Sequence, residues 1–384
     1  MLIAIQNIGK FSLSRPAAST IGVALLLSLG VLSFDEAVRA IDFNTIVLLF
    51  GMMALVAYLS FSGFFEFVAS KLMTIGNGRR LLLTIILSSS TLSALFVNDT
   101  ICVFMTPIIV KLSLEAKLNP IPLLIALATS ANIGSAGTII GNPQNMLIGI
   151  SSGVSFLEFA KVMVPISAIC LVLNYLIVYA VYRKDFDNFK PKKIDVSFNK
   201  SLAVKTLAVF AFVLALFITE IYPIPISALI GAAIMFAIGK IPPRKALEKV
   251  DWGLLLFFCN LFIVMHAFER DYGHLLVSSI SLKDLESYLY ASTLTVIGSN
   301  LVSNVPFVMM MLPIVKQDGE FWYLLAMAST FAGNLTLIGS VANLIVAESA
   351  SREGINLGFI EYLKVGVPLT VSTVLVGALM IYCL

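Results

Sequence analysis

Polar side chains interrupt several long apolar stretches of this 384-residue chain. Moving an amide or a hydroxyl from water into hydrocarbon without a hydrogen bond costs about 4–8 kcal/mol. We therefore expect such groups to bond to one another, to unwound backbone, or to a bound ion or solute. The candidate ion- or substrate-binding residues are Ser93, Asn98, Asp99, Thr100, Thr138, Gly141, Asn142, Asn145, Ser303, Asn304, Asn334, Thr336, Gly339, Ser340 and Asn343.

Asp99 is the acidic residue that lies deepest within an apolar segment. Ionisable side chains inside a membrane are costly and mark functional sites. Two mechanisms fit this position. The carboxylate either coordinates Na⁺ directly or carries a proton, because burial favours its neutral form and a nearby cation favours its charged form. A third interpretation, that Asp99 caps the N-terminus of the helix that follows, is compatible with both.

Glycine and proline interrupt two otherwise continuous apolar helices. Gly134-Ser135-Ala136-Gly137 and Gly141-Asn142-Pro143 fall within residues 121–150, and a second glycine-containing segment falls within residues 321–347. Proline removes a backbone donor and glycine relaxes the dihedral limits, so both helices are predicted to break. A free helix N-terminus suits an anion, and the carbonyls of a free C-terminus suit Na⁺. Close packing of membrane helices is the alternative use of such small residues.

The elements that must position these residues are membrane helices. A spanning helix needs about 20 apolar residues, and about nine stretches qualify. Two further apolar stretches, 81–116 and 288–316, carry polar residues at their centres and are predicted to be re-entrant helical hairpins. The predicted full spans are 17–34, 44–62, 121–150, 157–182, 203–221, 224–240, 252–268, 321–347 and 359–383.

The distribution of basic residues predicts the topology. With the amino terminus in the cytoplasm and the carboxy terminus outside, twenty Lys and Arg lie on the cytoplasmic side and five on the outer side. This asymmetry is the one that the positive-inside rule expects. The sequence therefore predicts a multi-pass protein of the cytoplasmic (inner) membrane, with the lipid bilayer as its surroundings.

An internal repeat divides the chain into residues 1–182, a cytoplasmic linker at 183–202, and residues 203–384, which hold a connector helix and the second repeat. An odd number of crossings separates matching helices, so the two repeats are predicted to be inverted, as in many secondary transporters. The matches keep their order and pair Ile41-Asp42-Phe43 with Val250-Asp251-Trp252, Ser93, Asn98 and Pro107 with Ser299, Asn304 and Pro313, Thr138–Gly141 and Asn145 with Thr336–Gly339 and Asn343, and Phe156–Pro165 with Phe359–Pro368.

Composition excludes several classes of protein. The chain is 59% apolar and 12% charged, whereas a soluble chain is about a quarter charged. A net charge of +3, scattered along the chain, does not indicate nucleic-acid binding. The four cysteines lie far apart, so neither a disulfide framework nor a zinc site is indicated. No nucleophile–base arrangement, HExxH motif or P-loop appears, so the chain is not predicted to be an enzyme or to hydrolyse ATP. Association with a separate ATPase subunit is compatible with the sequence.

Four motifs resemble those of the ArsB/NhaD permeases. These permeases belong to the ion transporter superfamily, which also contains citrate transporters and divalent anion/Na⁺ symporters. The resemblance extends over residues 40–383. The motifs are Ser93–Thr100 with Thr106-Pro107, Ala131–Asn145, Ser303-Asn304-Val305-Pro306, and Gly333–Asn343.

The resemblance implies that hairpin tips and broken helices pair to form two ion or substrate sites, one in each half. It also implies elevator-type movement and a homodimer. Na⁺ would then lie at Asn98, Asp99 and Asn145, and at Ser303, Asn304 and Asn343. The symporters carry Ser-Asn-Thr at both tips, but here the tips read Asn-Asp-Thr and Ser-Asn-Val.

The sequence therefore predicts an all-α polytopic membrane protein that is a secondary transporter. Its expected substrate is a small inorganic or carboxylate anion or a metalloid oxyanion such as arsenite, coupled to H⁺ or Na⁺ without another cofactor. No Arg or Lys falls within the candidate residues, which argues against a highly charged organic anion. The alternatives are Na⁺/H⁺ exchange at Asp99 and, ranked lower, a passive channel.

Overall fold

The computed structural model describes residues 7–8, 11–12, 14–72, 74, 76–186, 196–276, 282–315 and 319–384. Apart from one antiparallel pairing of the two-residue strands β1 (Asn7–Ile8) and β2 (Phe11–Ser12), the regular structure of these residues is helical. The first half contains α1 (Arg15–Ser28), α2 (Phe34–Ala40), α3 (Phe43–Phe61), α4 (Phe64–Leu72), α5 (Gly78–Phe96), α6 (Asn98–Glu115), α7 (Ile121–Ser135), α8 (Pro143–Ser152) and α9 (Phe156–Tyr182).

The second half follows a short 3₁₀ helix at Arg183–Phe186. Residues 187–195, the middle of the predicted linker 183–202, lie outside the described residues. The helices that follow are α10 (Lys200–Thr219), α11 (Ile224–Ile238), α12 (Pro243–Leu247), α13 (Trp252–Leu276), α14 (Leu285–Val302), α15 (Asn304–Val315), α16 (Gly319–Ala332), α17 (Val341–Arg352) and α18 (Phe359–Tyr382).

Six helices in the described part of the chain are long and apolar enough to cross a membrane. They are Phe43–Phe61, Gly78–Phe96, Phe156–Phe186, Lys200–Thr219, Trp252–Tyr272 and Phe359–Tyr382.

Four of the nine predicted spans do not form single helices of spanning length. Residues 17–34 yield a 14-residue helix, residues 224–240 yield a 15-residue helix, and 121–150 and 321–347 each yield two helices. The count of nine crossings remains a prediction.

Each predicted hairpin region contains two helices joined by one residue with a positive φ. Val97 joins α5 to α6 with a φ of 59°, and Ser303 joins α14 to α15 with a φ of 80°. In both pairs the two helices pack against each other. The first arm, Gly78–Phe96, has 19 residues and is long enough to cross a membrane, so the re-entrant course of this region remains a prediction.

Two helices are interrupted inside the regions where the sequence predicts breaks. The first break runs from Ser135 to Pro143, and Pro143 suits the first position of α8 because a helix start needs no N–H there. Asn142 caps α8 by accepting a hydrogen bond from the N–H of Asn145. In the second break, Ser340 caps α17 by accepting from the N–H of Ala342. Both breaks meet at the centre, where α7 packs on α16 and α17, and α8 packs on α16.

A close approach of α5 and α7 holds the first hairpin against the first broken helix. A Cβ atom at Gly134 would lie 2.3 Å from the backbone oxygen of Ser90, which is far inside van der Waals contact. We expect Gly134→Ala to force the two helices apart and to cost about 1–3 kcal/mol or more, as overpacking does. The measurement is the melting temperature and yield in detergent. Gly319→Ala, where a Cβ atom would meet nothing within 4 Å, is the matched control. Equal melting temperatures for the two variants would contradict this packing.

Candidate functional site

The junction of α5 and α6, which is the tip of the first predicted hairpin, is hydrogen-bonded to the first broken helix. The backbone N–H of Asn98 donates to the carbonyl of Gly141 at 2.9 Å, and the side-chain amide of Asn98 donates to Oδ1 of Asn132 at 3.0 Å. Thr138 donates its hydroxyl to the carbonyl of Ala94. These bonds place the backbone turn at Asn98 and the following Asp99 beside the start of α8.

Asn132 connects the two halves through a fully buried hydrogen-bond network. Its Oδ1 accepts from Asn98 at 3.0 Å and from the hydroxyl of Ser340 at 3.1 Å. Its amide nitrogen donates to Oδ1 of Asn334 at 2.9 Å and to Oδ1 of Asn343 at 3.1 Å. One side chain in the first half therefore holds three polar side chains of the second half in place.

Asn145 and Asn343 fasten the two breaks in the same way. The amide nitrogen of Asn145 donates to the carbonyls of Ser135 and Thr138, at 3.3 and 3.0 Å. The amide nitrogen of Asn343 donates to the carbonyls ten and seven residues before it, at 2.7 and 3.1 Å. Each asparagine thus closes its own unwound loop from the first turn of the helix that follows.

A second contact across the halves mirrors the first. Thr330, 198 positions after Asn132, accepts from the amides of Asn142 and Gln144 at 3.3 Å each. Its hydroxyl also donates to Oδ1 of Asn145 at 3.5 Å. Asn132 reaches Asn343, and Thr330, at the matching position of the second half, reaches Asn145.

The two loop-fastening asparagines support a prediction. Asn145→Ala removes a buried amide that bonds three loop carbonyls, and Asn343→Ala removes one that bonds two. Leaving a buried partner unsatisfied costs about 1–3 kcal/mol, so we expect a roughly five- to hundred-fold loss in apparent affinity. Transport in liposomes and expression level are the measurements. Unchanged affinity in both variants would reduce these residues to helix packing.

A central cavity of about 40 Å³ lies between the two hairpin tips and the starts of α8 and α17. Phe257 and Phe258 of α13 contribute part of its apolar wall. The polar side chains that line it are Arg15, Asn98, Asp99, Gln144, Ser303, Asn304 and Ser340. Both hairpin tips and the first residues of α8 and α17 therefore contribute to one compartment, with one cation and one carboxylate among them.

Arg15 corrects the expectation that no Arg or Lys lies in the site. It is the first residue of α1, which packs along α13, and this places the half-buried side chain in the lining of the central cavity with Asp99. The sequence places Arg15 outside the membrane core, at the cytoplasmic start of the first helix. Only the packing of α1 shows that this guanidinium reaches the tips.

Some buried polar atoms near the cavity have no hydrogen-bond partner among the described residues. They include Oδ1 of Asn304 at the second tip and the amide nitrogen of Asn334. Ser93 and Ser299, which occupy matching positions in the two hairpins, also have unpartnered hydroxyls. A buried unsatisfied group costs about 1–3 kcal/mol, so Oδ1 of Asn304, which lines the cavity, is available to a bound ion or solute.

The predicted site residues divide into three groups in the structure. Asn98, Asp99, Ser303, Asn304 and Ser340 line the central cavity.

A second group, which does not line this cavity, forms the supporting network: Thr138, Gly141, Asn142, Asn145, Asn334, Thr336, Gly339 and Asn343. Ser93 also lies outside the cavity lining, and its buried hydroxyl has no partner in this network. Thr100 belongs to neither group, because it lines a neighbouring cavity of about 130 Å³ that also includes Asp99.

Each predicted Na⁺ set has two members at the central cavity and a third behind it. Asn98 and Asp99 line the cavity, whereas Asn145 bonds to its own loop. Ser303 and Asn304 line it as well, whereas Asn343 bonds to the second loop. Within the described residues, no group of three or more His, Cys, Asp or Glu side chains could hold a metal ion. The two Na⁺ sets remain predictions.

Five residues of the site were not among the predicted candidates. Asn132, Gln144 and Thr330 are polar positions within predicted broken helices, so the same reasoning could have selected them. Asn300 accepts from Thr336 at 3.3 Å and donates to the carbonyl of Ala332 at 3.0 Å, which ties the second hairpin to the second break. Arg15 does not lie within a predicted broken helix or hairpin, so its sequence position gives no such indication.

Comparisons with known proteins agree with this architecture. A family model described as CitMHS, citrate transporter, matches residues 1–330. A Dictyostelium discoideum protein that carries the transporter name arsB is 28% identical, over 95% of this chain and 86% of its own length. The silicon efflux transporter LSI3 of Oryza sativa subsp. japonica is 27% identical, over 98% of this chain and 94% of its own.

A solved structure shares the fold. The crystal structure of the Alcanivorax borkumensis YdaH transporter superposes with a TM-score of 0.63 at 12% sequence identity. The match covers 96% of this chain and 98% of that one. Such low identity relates the two chains in fold alone.

Proposed function

The chain belongs to the citrate transporter family, and from this premise we propose that it is a secondary active transporter of a small anion or metalloid oxyanion, coupled to H⁺ or Na⁺. Membership confirms the resemblance seen in the motifs. The relatives are named as transporters, and the long apolar helices make this a multi-pass membrane protein. An inner-membrane location, a cytoplasmic amino terminus and a homodimer belong to the proposal.

The observation that carries the proposal is the central cavity. It combines the guanidinium of Arg15, hydroxyl groups and the starts of two helices, which suit an anion, with the carboxylate of Asp99, which suits the coupling cation. Its volume of about 40 Å³ leaves room for a small ion with few waters, because one water molecule needs about 10–15 Å³ of such space. A tricarboxylate does not fit in this conformation. We therefore favour an inorganic anion or an arsenite-like oxyanion over citrate, and one relative's name likewise states an inorganic solute, silicon.

Inverted repeats and elevator-type movement form the mechanistic part of the proposal. The matched fastening bonds of Asn145 and Asn343 and the exchanged contacts of Asn132 and Thr330 support a pseudo-two-fold relation between the halves. In this mechanism the two hairpins and two broken helices move as one unit, because their tips and loops are bonded to each other. Transport then exposes the central cavity to one side of the membrane at a time.

Na⁺/H⁺ exchange is the second candidate function. Asp99 lines both the central cavity and the neighbouring cavity of about 130 Å³, so a cation could reach it from a separate compartment. In that case Asp99 would bind Na⁺ and H⁺ in turn, and Arg15 would release the cation instead of binding an anion.

Purified protein in liposomes that contain a pH-sensitive dye separates the two functions. Arsenite, phosphate, sulfate and citrate are each offered with and without a Na⁺ gradient. We expect arsenite or one small inorganic anion to produce a saturable flux, and citrate to produce less. A proton flux that requires Na⁺ but does not require any of the four solutes would instead identify the protein as a Na⁺/H⁺ exchanger. A citrate flux of the highest apparent affinity would contradict the size argument.

Arg15 supplies a variant that tests the anion. A hydrogen bond to a charged group is worth about 1.5–3 kcal/mol, so we expect Arg15→Gln to weaken anion affinity roughly ten- to hundred-fold. Arg39→Gln removes an exposed positive charge on α2 and is the matched control. The measurement is the concentration dependence of uptake. Equal affinity in the two variants would remove Arg15 from the substrate site.

A further inference from the structure

Two larger cavities flank the repeat interface. The Asp99 cavity, of about 130 Å³, is the compartment already noted beside the first hairpin. The His266 cavity, of about 200 Å³, lies between α13 and α15 and also touches the ends of α2 and α8. Nothing in the proposed function so far uses the second one.

Residues at matching positions in the two repeats line these two cavities. On α3 and α13 the matches are 209 positions apart, the separation between Asp42 and Asp251. On α6 and α15 they are 206 positions apart, the separation between Asn98 and Asn304. The pairs, with the residue of the Asp99 cavity first, are Met53 and Phe262, Val56 and Met265, Ala57 and His266, Val103 and Met309, and Phe104 and Met310.

Residues at the outer edge of each cavity are also separated by 209 positions. Lys249 lines the Asp99 cavity, and Ala40, which lies 209 positions before it, lines the His266 cavity. Lys249 belongs to the basic connection that the charge distribution assigns to the cytoplasm. Ala40 and Glu269 belong to connections assigned to the outer side. Under an inverted repeat, the cavities open toward opposite faces of the membrane.

The two cavities differ in their charged groups. Asp99 lines the first together with Lys249 and Asp251, and Arg15 faces Asp99 from the central cavity. Val305 takes the position of Asp99 in the second hairpin, and the ionisable groups of that cavity are His266 and Glu269. The carboxylate shared with the central cavity therefore exists on one side only.

We infer that the Asp99 cavity is the cytoplasmic entrance through which a small coupling cation reaches Asp99, with Asp251 and Lys249 at its mouth, and that the His266 cavity is the matching entrance from the outer side. This inference rests on the proposed function. The negative side chains of Asp251 and Asp99 attract the cation, and Lys249 limits how long it stays. Solute and cation meet where the Asp99 cavity and the central cavity share Asp99.

Site-directed thiol labelling tests the inference with a matched pair. Val103→Cys and Met309→Cys are introduced into protein whose native cysteines, Cys102, Cys170, Cys259 and Cys383, are replaced by alanine. A charged, membrane-impermeant thiol reagent is added from either side of oriented vesicles. We expect Val103→Cys to react at least tenfold faster from the cytoplasmic side, and Met309→Cys at least tenfold faster from the outer side.

Two controls keep the test decisive. Val172→Cys, on the exposed middle of α9, lines neither cavity and should not react with a charged reagent. Phe104→Cys and Met310→Cys form a second matched pair for the case in which one of the first variants fails to accumulate. Reaction of both members of a pair from one side, or no reaction of either member in folded protein, would overturn the inference.

Labelling and transport can fail separately. If the cysteine-free protein shows gradient-driven uptake but the labelling pattern is wrong, the entrances are wrongly assigned and the proposed function stands. If the labelling pattern is as expected but neither solute nor cation crosses the membrane, the proposed function fails.

Discussion

Asp99→Asn is expected to abolish transport driven by a pH or Na⁺ gradient while leaving the protein folded. Asparagine keeps the shape and hydrogen-bonding capacity of the side chain but cannot gain or lose a proton. Asp99 lines both the central cavity and the Asp99 cavity, so in the proposed mechanism its charge acts where the coupling cation and the solute meet. Slow exchange of solute without net accumulation can survive, because Arg15 and the amides of the cavity are unchanged.

The proposed mechanism also predicts the direction in which the cation affinity of the wild type changes with pH. Protons and the cation compete for one carboxylate, and the proton wins as the pH falls. Apparent cation affinity should therefore decrease toward low pH in the wild type and show no such dependence in Asp99→Asn. Uptake across about pH 5.5 to 8.5 is the measurement.

Asp35→Asn, which removes an exposed carboxylate on α2, is the control for loss of a negative charge. Full gradient-driven transport by Asp99→Asn, with an unaltered pH profile, would leave Asp99 as an acidic residue in the first turn of α6 without a role in coupling.

Asn132→Ala is expected to have the next largest effect, reducing transport at least about a hundred-fold and lowering the melting temperature. The substitution leaves four buried polar groups without this partner, and they come from both halves. Each costs about 1–3 kcal/mol when unsatisfied, although rearrangement recovers part of that. The groups are the amide of Asn98, the hydroxyl of Ser340, and Oδ1 of Asn334 and Asn343.

Asn174→Ala is the matched control for Asn132→Ala. Asn174 is also a fully buried asparagine in an apolar helix, but its Oδ1 accepts a single hydrogen bond, from Thr129 at 3.0 Å. Thr129 keeps its bond to the carbonyl of Ile125 at 2.8 Å, so little is left unsatisfied. If Asn132→Ala were no worse than Asn174→Ala in uptake and in melting temperature, the network across the halves would not hold the site together.

Local sequence chemistry predicts the positions of the two helix breaks. Gly141-Asn142-Pro143 combines a position without room for a Cβ atom, which would lie 2.2 Å from the carbonyl oxygen of Ser135, with a helix cap and a first-turn proline. Each of these features acts within a few residues, so the pattern alone shows where the helix must end and restart. The second break follows the same logic, with Ser340 as the cap.

Apolarity alone does not predict the lengths of the helices. Residues 17–34 look like one span, but Gly30 has a φ of 68° just past the end of α1, and Ser33 and Glu36 form a capping box that starts α2. A serine followed three residues later by glutamate is a recognisable helix start. Counting apolar residues passes over such a signal, because it depends on backbone donors rather than on hydrophobicity.

Contacts between distant segments are the part of the site that the sequence does not predict. The motif around Asn98 predicts a polar tip, but its bond to Asn132 depends on how α5 packs against α7. Arg15 reaches the cavity only because α1 lies along α13. From its charge and its position in the chain, Arg15 is predicted to lie at the cytoplasmic membrane surface. The packing of α1 on α13 instead places it in the lining of the central cavity.

Concentrative uptake into liposomes tests the central claim, that this protein is a coupled transporter, most directly. The solute that gives a saturable flux is supplied at equal concentrations on both sides, and a pH or Na⁺ gradient is then imposed. Coupled transport predicts that the solute accumulates on one side, and that an ionophore which collapses the gradient returns it to equality. Equal concentrations throughout, with a flux that ignores the gradient, would show a passive channel and contradict the account.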